Sequence, residues 1–209
     1  MGRTRDVSKI LTSNTSILSL ASASTTYATK TSTGLNLIIP STIANTSGTA
    51  SIGTNGTVSF SGATTVSLND VFSSTYMNYK IIINAIGSAG NTVALRYRVS
   101  GSDNSTSNYS NQSADAGGSS FSAGRTTGGT NTPIIVLRSA ESASADANVY
   151  NPFVTEETIL QSNTFDPDSS GIWRVFNGLF GATTSFTGFS LISSNGTMAG
   201  TVSVYGFNK

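Results

Sequence analysis

Tyr79-Lys80-Ile81-Ile82-Ile83-Asn84-Ala85-Ile86, Gly87-Ser88-Ala89-Gly90-Asn91 and Thr92-Val93-Ala94-Leu95-Arg96-Tyr97-Arg98-Val99-Ser100 follow one another without a break. They form the centre of a stretch from Tyr76 to Tyr109 that holds the longest β pattern in the chain. In the last piece Val93, Leu95, Tyr97 and Val99 fall on one face, and Ala94, Arg96, Arg98 and Ser100 on the other, the period of two of a half-buried strand. The first piece is apolar on both faces, which places it in a sheet whose second face is also covered, by another sheet or by another subunit. Two strands separated by a glycine-bearing turn predict a β-hairpin.

The same pattern, in shorter pieces, continues on both sides. Before the central stretch come Ser51-Ile52-Gly53, then Asn55-Gly56, then Thr57-Val58-Ser59-Phe60 and Thr65-Val66-Ser67-Leu68. Asn-Gly between short β runs predicts a two-residue hairpin turn, because both central positions need positive φ. Residues 69–76 read as one helical turn. After the central stretch, a polar region from Gly101 to about Gly129 reads as a long loop interrupted only by Phe121, and long loops are commonly functional or disordered. Strands resume at 132–138, 147–154 and 158–160, with Pro133 and Pro152 favouring strand ends or edges. The chain closes with 171–176, 186–192, Asn195-Gly196 as a second hairpin signal, and 198–207. Nine or ten short strands without a sustained helical period predict an all-β protein, a β-sandwich of jelly-roll or related topology. The division expected is an arm and connector over 1–49, in which Leu35 to Ile39 lays one short strand on a neighbour, and a sandwich over 50–209.

Composition narrows the chemistry. Of 209 residues only 10% are charged, the formal net charge is +1, and Ser and Thr together make up roughly a third. A nucleic-acid partner would require clustered Lys and Arg, which are absent. With no cysteine and no histidine, disulfides, thiolate nucleophiles, Ser-His-Asp triads and nearly all zinc or iron sites are excluded. No apolar run approaches the length of a membrane span, and the start of the chain lacks the apolar core of a signal peptide. No cofactor and no resident metal are expected.

Residues 1–30 differ from the rest. Arg3, Arg5 and Lys9 precede Ile10 and Leu11, and Ile17 and Leu18 follow in a segment too polar to form its own core. A solvated tail is one reading. The other is an attachment arm that gains order on a partner, with the cations pairing to carboxylates and Ile10, Leu11, Ile17 and Leu18 filling an apolar groove.

Arg3-Thr-Arg-Asp-Val-Ser-Lys-Ile-Leu11, Ala21-Ser-Ala-Ser-Thr-Thr-Tyr-Ala-Thr-Lys30, the run from Asn78 through Leu95 to Asn104, and Gly200-Thr-Val-Ser-Val-Tyr-Gly-Phe207 resemble a family of virion proteins of tailed bacteriophages, common in marine and cyanobacterial phages and described as tail-fibre or minor structural proteins. The resemblance spans both ends and the centre. It implies an N-terminal anchoring arm, a β-sandwich head, a homotrimer on the virion surface, contacts to other virion proteins through the arm, and no enzymatic residues to carry over. A capsid decoration protein built on the same plan is the alternative location.

Candidate sites follow. Arg96 and Arg98, on the wet face of the central strand, are either solvated or pair with carboxylates of a neighbouring subunit. In the Gly101–Gly129 loop, Asp103, Asn104, Tyr109 and Phe121 are candidates for contact with a host surface polysaccharide, since loops on a rigid sandwich carry recognition at little cost to the fold. Trp173, flanked by Ile172 and Val175, reads as core rather than as a sugar platform. Asp166 and Asp168 read as an ordinary turn, with calcium binding as the lesser reading. Glu156 and Glu157, adjacent on a strand, would point to opposite faces and so cannot act together on one sugar ring. A carboxylate-dependent glycan depolymerase is the remote alternative.

Overall fold

The computed structural model describes residues 34–139, 141–166 and 171–207. The arm residues Arg3, Arg5, Lys9, Ile10, Leu11, Ile17 and Leu18, and Asp168, lie outside them. Residues 35–207 form one compact unit. It contains sixteen strands and, among the described residues, no helix: β1 (Leu35–Ile38), β2 (Thr42–Thr46), β3 (Thr49–Ile52), β4 (Val58–Ala63), β5 (Thr65–Asn69), β6 (Asn78–Gly87), β7 (Asn91–Val99), β8 (Ser102–Asp103), β9 (Tyr109–Gly117), β10 (Ser120–Gly129), β11 (Thr132–Leu137), β12 (Ala143–Tyr150), β13 (Thr158–Asp166), β14 (Ile172–Phe180), β15 (Gly188–Ser193) and β16 (Met198–Phe207).

These strands build two packed antiparallel sheets, a β-sandwich. The larger sheet runs β10-β9-β14-β13-β12-β6-β16-β4-β3, with β1 also on β16, and the smaller runs β11-β7-β15-β5-β2, with β8 on β7. Set side by side, the two orders explain each other. β3, β4, β16, β6 and β12 of the larger sheet match β2, β5, β15, β7 and β11 of the smaller, and each matched pair is consecutive in sequence. The sandwich is therefore five chain arches laid next to one another, each putting one strand in each sheet, as in the jelly-roll class. Beyond β12 the larger sheet continues as β13, β14, β9 and β10, which have no counterpart in the smaller sheet. We call this extension the wing.

The arches correct the central reading. β6 and β7 do not pair with each other: β6 lies between β12 and β16, and β7 between β11 and β15. Tyr79, Ile81 and Ile83 of β6 and Val93, Leu95 and Tyr97 of β7 are buried in one core between the sheets. On the other face of β6, Lys80, Ile82 and Ile86 are half-buried and Asn84 is exposed, and among the described residues no second layer covers them. The turn is satisfied by the neighbouring arch rather than by itself. Ser88 N donates to Thr197 O at 2.8 Å, and Thr197 N donates to Ser88 Oγ at 2.9 Å. Ser194 N likewise donates to Thr92 O, and Thr92 N to Ser194 Oγ, both at 3.0 Å. Buried backbone groups need partners, and here two crossings supply them to one another.

Asn195-Gly196 is the second of these crossings, from β15 to β16, and not a closing hairpin. Gly196 alone has positive φ (67°), so the two left-handed residues of a type I′ turn are not present. Asn55-Gly56 does join a paired hairpin, β3 to β4, but through a five-residue loop from Gly53 to Thr57 in which only Gly56 has positive φ. Gly53 N donates to Thr57 O at 2.8 Å, and Asn55 Oδ1 accepts from Thr57 N at 3.2 Å.

Three other expectations change. Residues 35–49, read as connector, supply β1 to the larger sheet and β2 to the smaller, within the chain's own sandwich. Residues 70–77 contain no helical turn. The region 101–129 is not a loop: after β8 it forms the long hairpin β9–β10, in register from Ser120↔Gly117 to Thr126↔Asn111. Its Ser, Asn, Gln and Gly residues hide the β period because neither side of β10 is buried. Pro133 sits on β11, the edge of the smaller sheet, next to a register shift, as a proline without an amide proton requires.

Candidate functional site

Six of the residues singled out in the sequence that the structure describes, Arg96, Arg98, Asp103, Asn104, Tyr109 and Asp166, hold the fold. Arg98 lies on the outer face of the smaller sheet, donating Nε–H to Asn69 Oδ1 at 3.0 Å and Nη1–H to Ser67 Oγ at 3.1 Å and Ser190 Oγ at 2.9 Å. It also pairs with Asp103 and donates to Gly101 O. Arg96 donates to Thr130 O at 2.9 Å and Thr130 Oγ1 at 3.2 Å, and its Nη1 lies 3.8 Å from Asp103. Both arginines, for which the sequence left open solvation or a neighbouring subunit's carboxylate, pair instead with Asp103 of their own chain. Asp103, in turn, is an ion-pair partner rather than a free ligand contact.

Asn104 Oδ1 accepts from Thr106 N at 3.1 Å and Thr106 Oγ1 at 2.7 Å, which fixes the local turn. Tyr109 is wholly buried, against the expectation of a ligand contact. Its hydroxyl donates to Asn104 O at 2.9 Å and accepts from Tyr97 N at 3.0 Å, and its ring packs edge-on to Phe180 at 4.9 Å. Burial pushes its phenol well above the ordinary range. Tyr109 is a brace between β9 and β7.

Asp166 is 0% exposed and does not behave as a turn residue. Arg138 grips it with Nε at 3.0 and 3.2 Å and Nη2 at 2.7 Å, and Arg174 Nη2 lies 3.1 Å away while pairing also with Asp115. A calcium ion at Asp166 would meet two guanidinium groups. Among the described residues no three carboxylates gather into a metal site. Glu156 and Glu157 are exposed in the connection between β12 and β13 rather than on a strand.

Two aromatic residues singled out in the sequence also lie at the surface. Phe121 is 70% exposed on β10, and Trp173, expected in the core, is 46% exposed on β14. The period of two explains the Trp173 correction: Phe176, Gly178 and Phe180 of β14 point inward, so Trp173, Val175, Asn177 and Leu179 point out. Trp173 Nε1 donates to Asn163 Oδ1 at 2.6 Å, which ties the indole to the neighbouring strand β13.

The outer face of the larger sheet, over the wing and β12, brings these side chains together in rows that cross the strands. One row pairs Phe121 with Ala116, Ala116 with Trp173, Trp173 with Phe165 and Phe165 with Ser144. Phe165 is 54% exposed, so three aromatic rings lie along one edge of the face. Two rows away, Arg125 pairs with Gln112, Gln112 with Asn177, Asn177 with Gln161, Gln161 with Asn148, and Asn148 with Lys80. Four carboxamides on four neighbouring strands thus form a ladder, with a cation at each end. Lys80 is held by Asp146 at 2.7 Å. Between the rows lie Ala114, Val175, Asn163 and Asp146, and shallow depressions in this surface are lined by Gln112, Asn177, Gln161 and Arg125. On the far side of the ladder Ile159 and Leu179 give an apolar rim.

Each carboxamide offers two donors and an acceptor on the same short stem, and aromatic faces present apolar, weakly negative surface. Together they suit a ligand with hydroxyls at its rim and C–H groups on its faces. The carboxamides were not singled out in the sequence, because the ladder exists only through the pairing of β9, β14, β13 and β12, which no single segment encodes. Compared with protein-family models and with curated proteins, the chain matches none.

Proposed function

We propose that this chain is a non-enzymatic structural protein of a tailed-phage virion, a homotrimeric tail fibre or appendage attached through its N-terminal arm, and that it adheres to a host-surface glycan through the outer face of the larger sheet. The observation that carries the adhesive part is the pairing of the Phe121–Trp173–Phe165 row with the Gln112–Asn177–Gln161–Asn148 ladder on one open face. Large exposed rings have a reason to persist on a surface when they contact something. The virion setting rests on the resemblance of both chain ends and the centre to phage structural proteins, and the surface rich in Ser, Thr and Asn accords with it.

Affinity electrophoresis of the full-length protein through gels containing surface polysaccharides tests the adhesive part. Retardation is expected with at least one polymer, together with a shift in the fluorescence of Trp173, the chain's single tryptophan. Trp173→Ala and Asn177→Ala are each expected to weaken retardation by about tenfold, the equivalent of 1–2 kcal/mol of stacking or hydrogen bonding. Retardation unchanged in both variants would remove the face from consideration. Gold labelling of the chain on intact particles separates fibre from capsid, and light scattering of the full-length chain tests the trimer.

A further inference from the structure

We infer that the ladder face selects an acidic glycan, and that Arg125 receives the carboxylate of a uronate unit; this rests on the glycan-binding reading above and names its ligand class.

The inference begins with the charges of the face. Lys80 and Asp146 neutralise one another at 2.7 Å. Arg174, the other arginine of the wing, points inward to Asp115 and Asp166. Arg125 remains, and it makes no hydrogen bond or ion pair with any described residue. It stands on the outer face of β10, directly across from Gln112, and lines two adjoining depressions together with Gln112 and Asn177. Among the described residues of these rows Asp146 is the only carboxylate, and it is already paired with Lys80. The uncompensated charge at this surface is therefore positive and sits at the β10 end of the ladder.

Its chemistry favours a planar anion. A guanidinium binds a carboxylate through two parallel N–H donors, with geometric selectivity that an ammonium lacks. Adjacent strands are about 4.8 Å apart, so the ladder steps across the sheet at close to the length of one sugar ring. A polymer lying across the strands would set one unit at Arg125 and Gln112 and successive units over Asn177, Gln161 and Asn148, with the aromatic row about 13 Å further along the strands, within reach of a side branch or a second chain. A uronate unit carries both the hydroxyls that the carboxamides read and the carboxylate that Arg125 lacks. The competing role for Arg125 is that of a lone charge guarding the exposed edge strand β10 against pairing with another chain, and the two roles give different results.

The test uses the full-length protein and three uronate polymers, polygalacturonate, alginate and hyaluronate, each beside its carboxyl-reduced form, in which the acid has become a primary alcohol on the same backbone. Affinity electrophoresis or calorimetry at low salt is expected to give at least one acid form that binds about tenfold tighter than its reduced partner, the effect of one well-made charged hydrogen bond. That preference should fall to within about twofold in Arg125→Gln, persist partly in Arg125→Lys, and shrink in ~0.5 M NaCl, where the screening length is only a few ångströms. Asn177→Ala should weaken acid and reduced forms alike. Equal binding of acid and reduced forms, with both lost in Trp173→Ala, would leave the glycan reading standing and overturn the role of Arg125. An acid preference retained in Arg125→Gln, or a variant that self-associates without a change in preference, would overturn it too and assign Arg125 to edge protection. Binding of none of the six polymers would count against the glycan reading itself.

Discussion

The arched part of the sandwich and its wing are made of the same kind of strand, yet among the described residues the strongly exposed aromatic rings all lie on the wing. In the arches, Phe72, Tyr79 and Phe189 pack between the sheets, with ring centroids 4.7 and 5.8 Å apart. At the seam between arches and wing, Tyr97, Tyr109, Phe180 and Phe186 form a second buried cluster. In the wing proper, Phe121, Phe165 and Trp173 face solvent. The wing buries its inner side too, with Leu160, Phe176 and Phe180 in it, so the solvent-facing rings stand on its outer side, where they contribute little to the fold and are free for contact. The difference is measurable with a single residue type. Phe189→Ala should cost about 3–5 kcal/mol in urea unfolding, because a fully buried ring leaves a cavity. Phe165→Ala should cost about 1 kcal/mol or less, as surface changes do. Equal losses would mean that the wing is part of the core and that its rings are structural.

The seam provides the next test. Gly178 of β14 faces Thr132 of β11, and a Cβ at Gly178 would run into the Thr132 side chain. Gly178→Ala is therefore expected to cost about 1–3 kcal/mol by overpacking, and Thr132→Ala in that background should recover part of the loss. No recovery would place the strain elsewhere than between the wing and the edge of the smaller sheet. A smaller effect is expected at the clasp that joins two arches. Ser88→Ala removes the acceptor for Thr197 N and should cost about 0.5–1.5 kcal/mol, with Trp173 fluorescence unchanged.

What the sequence disclosed follows from what local residues can encode. The alternation of Val93, Leu95, Tyr97 and Val99 predicts a strand with one buried face; the first three are buried, while Val99, at the end of the strand, is exposed. The same alternation holds whether a chain folds back in one sheet or crosses to the other, so Gly87 to Gly90 could not distinguish hairpin from arch. The distinction lies in Ser88, Thr92, Ser194 and Thr197, which bind across about 100 residues of sequence. The sequence of β9 and β10 reads as loop because their strand character comes from pairing alone, with few β-branched residues and little burial to signal it. Asp103 and Tyr109 looked like ligand contacts for the same reason: a polar neighbourhood hid one ion-pair partner and one buried brace. Of the site, Phe121 stands out in the sequence as an aromatic in a polar stretch, whereas Trp173, between Ile172 and Val175, carries the local signature of a core residue. The carboxamide ladder depends on register between four strands and had no local signature.

The smallest expected effect is also the most specific to the comparison. β10 is the edge of the larger sheet and is exposed along nearly its whole length, so opening it exposes almost no apolar surface. In hydrogen exchange, the amides of β10 that point away from β9 should exchange at nearly the rate of free peptide. Those bonded to β9 should exchange through a local opening whose free energy lies below that of global unfolding. The amides of β6, β7 and β15, in the middle of the arches, should exchange only when the whole unit unfolds. Phe189→Ala then separates the two behaviours: it should speed exchange in β6, β7 and β15 by a factor set by its loss of global stability, about 100-fold or more for 3 kcal/mol, and leave β10 unchanged. If β10 slows together with the arches in the wild type and speeds with them in the variant, its opening is coupled to global unfolding. The wing would then be one cooperative unit with the sandwich, and the freedom of its outer face would have to be sought in side chains rather than in backbone.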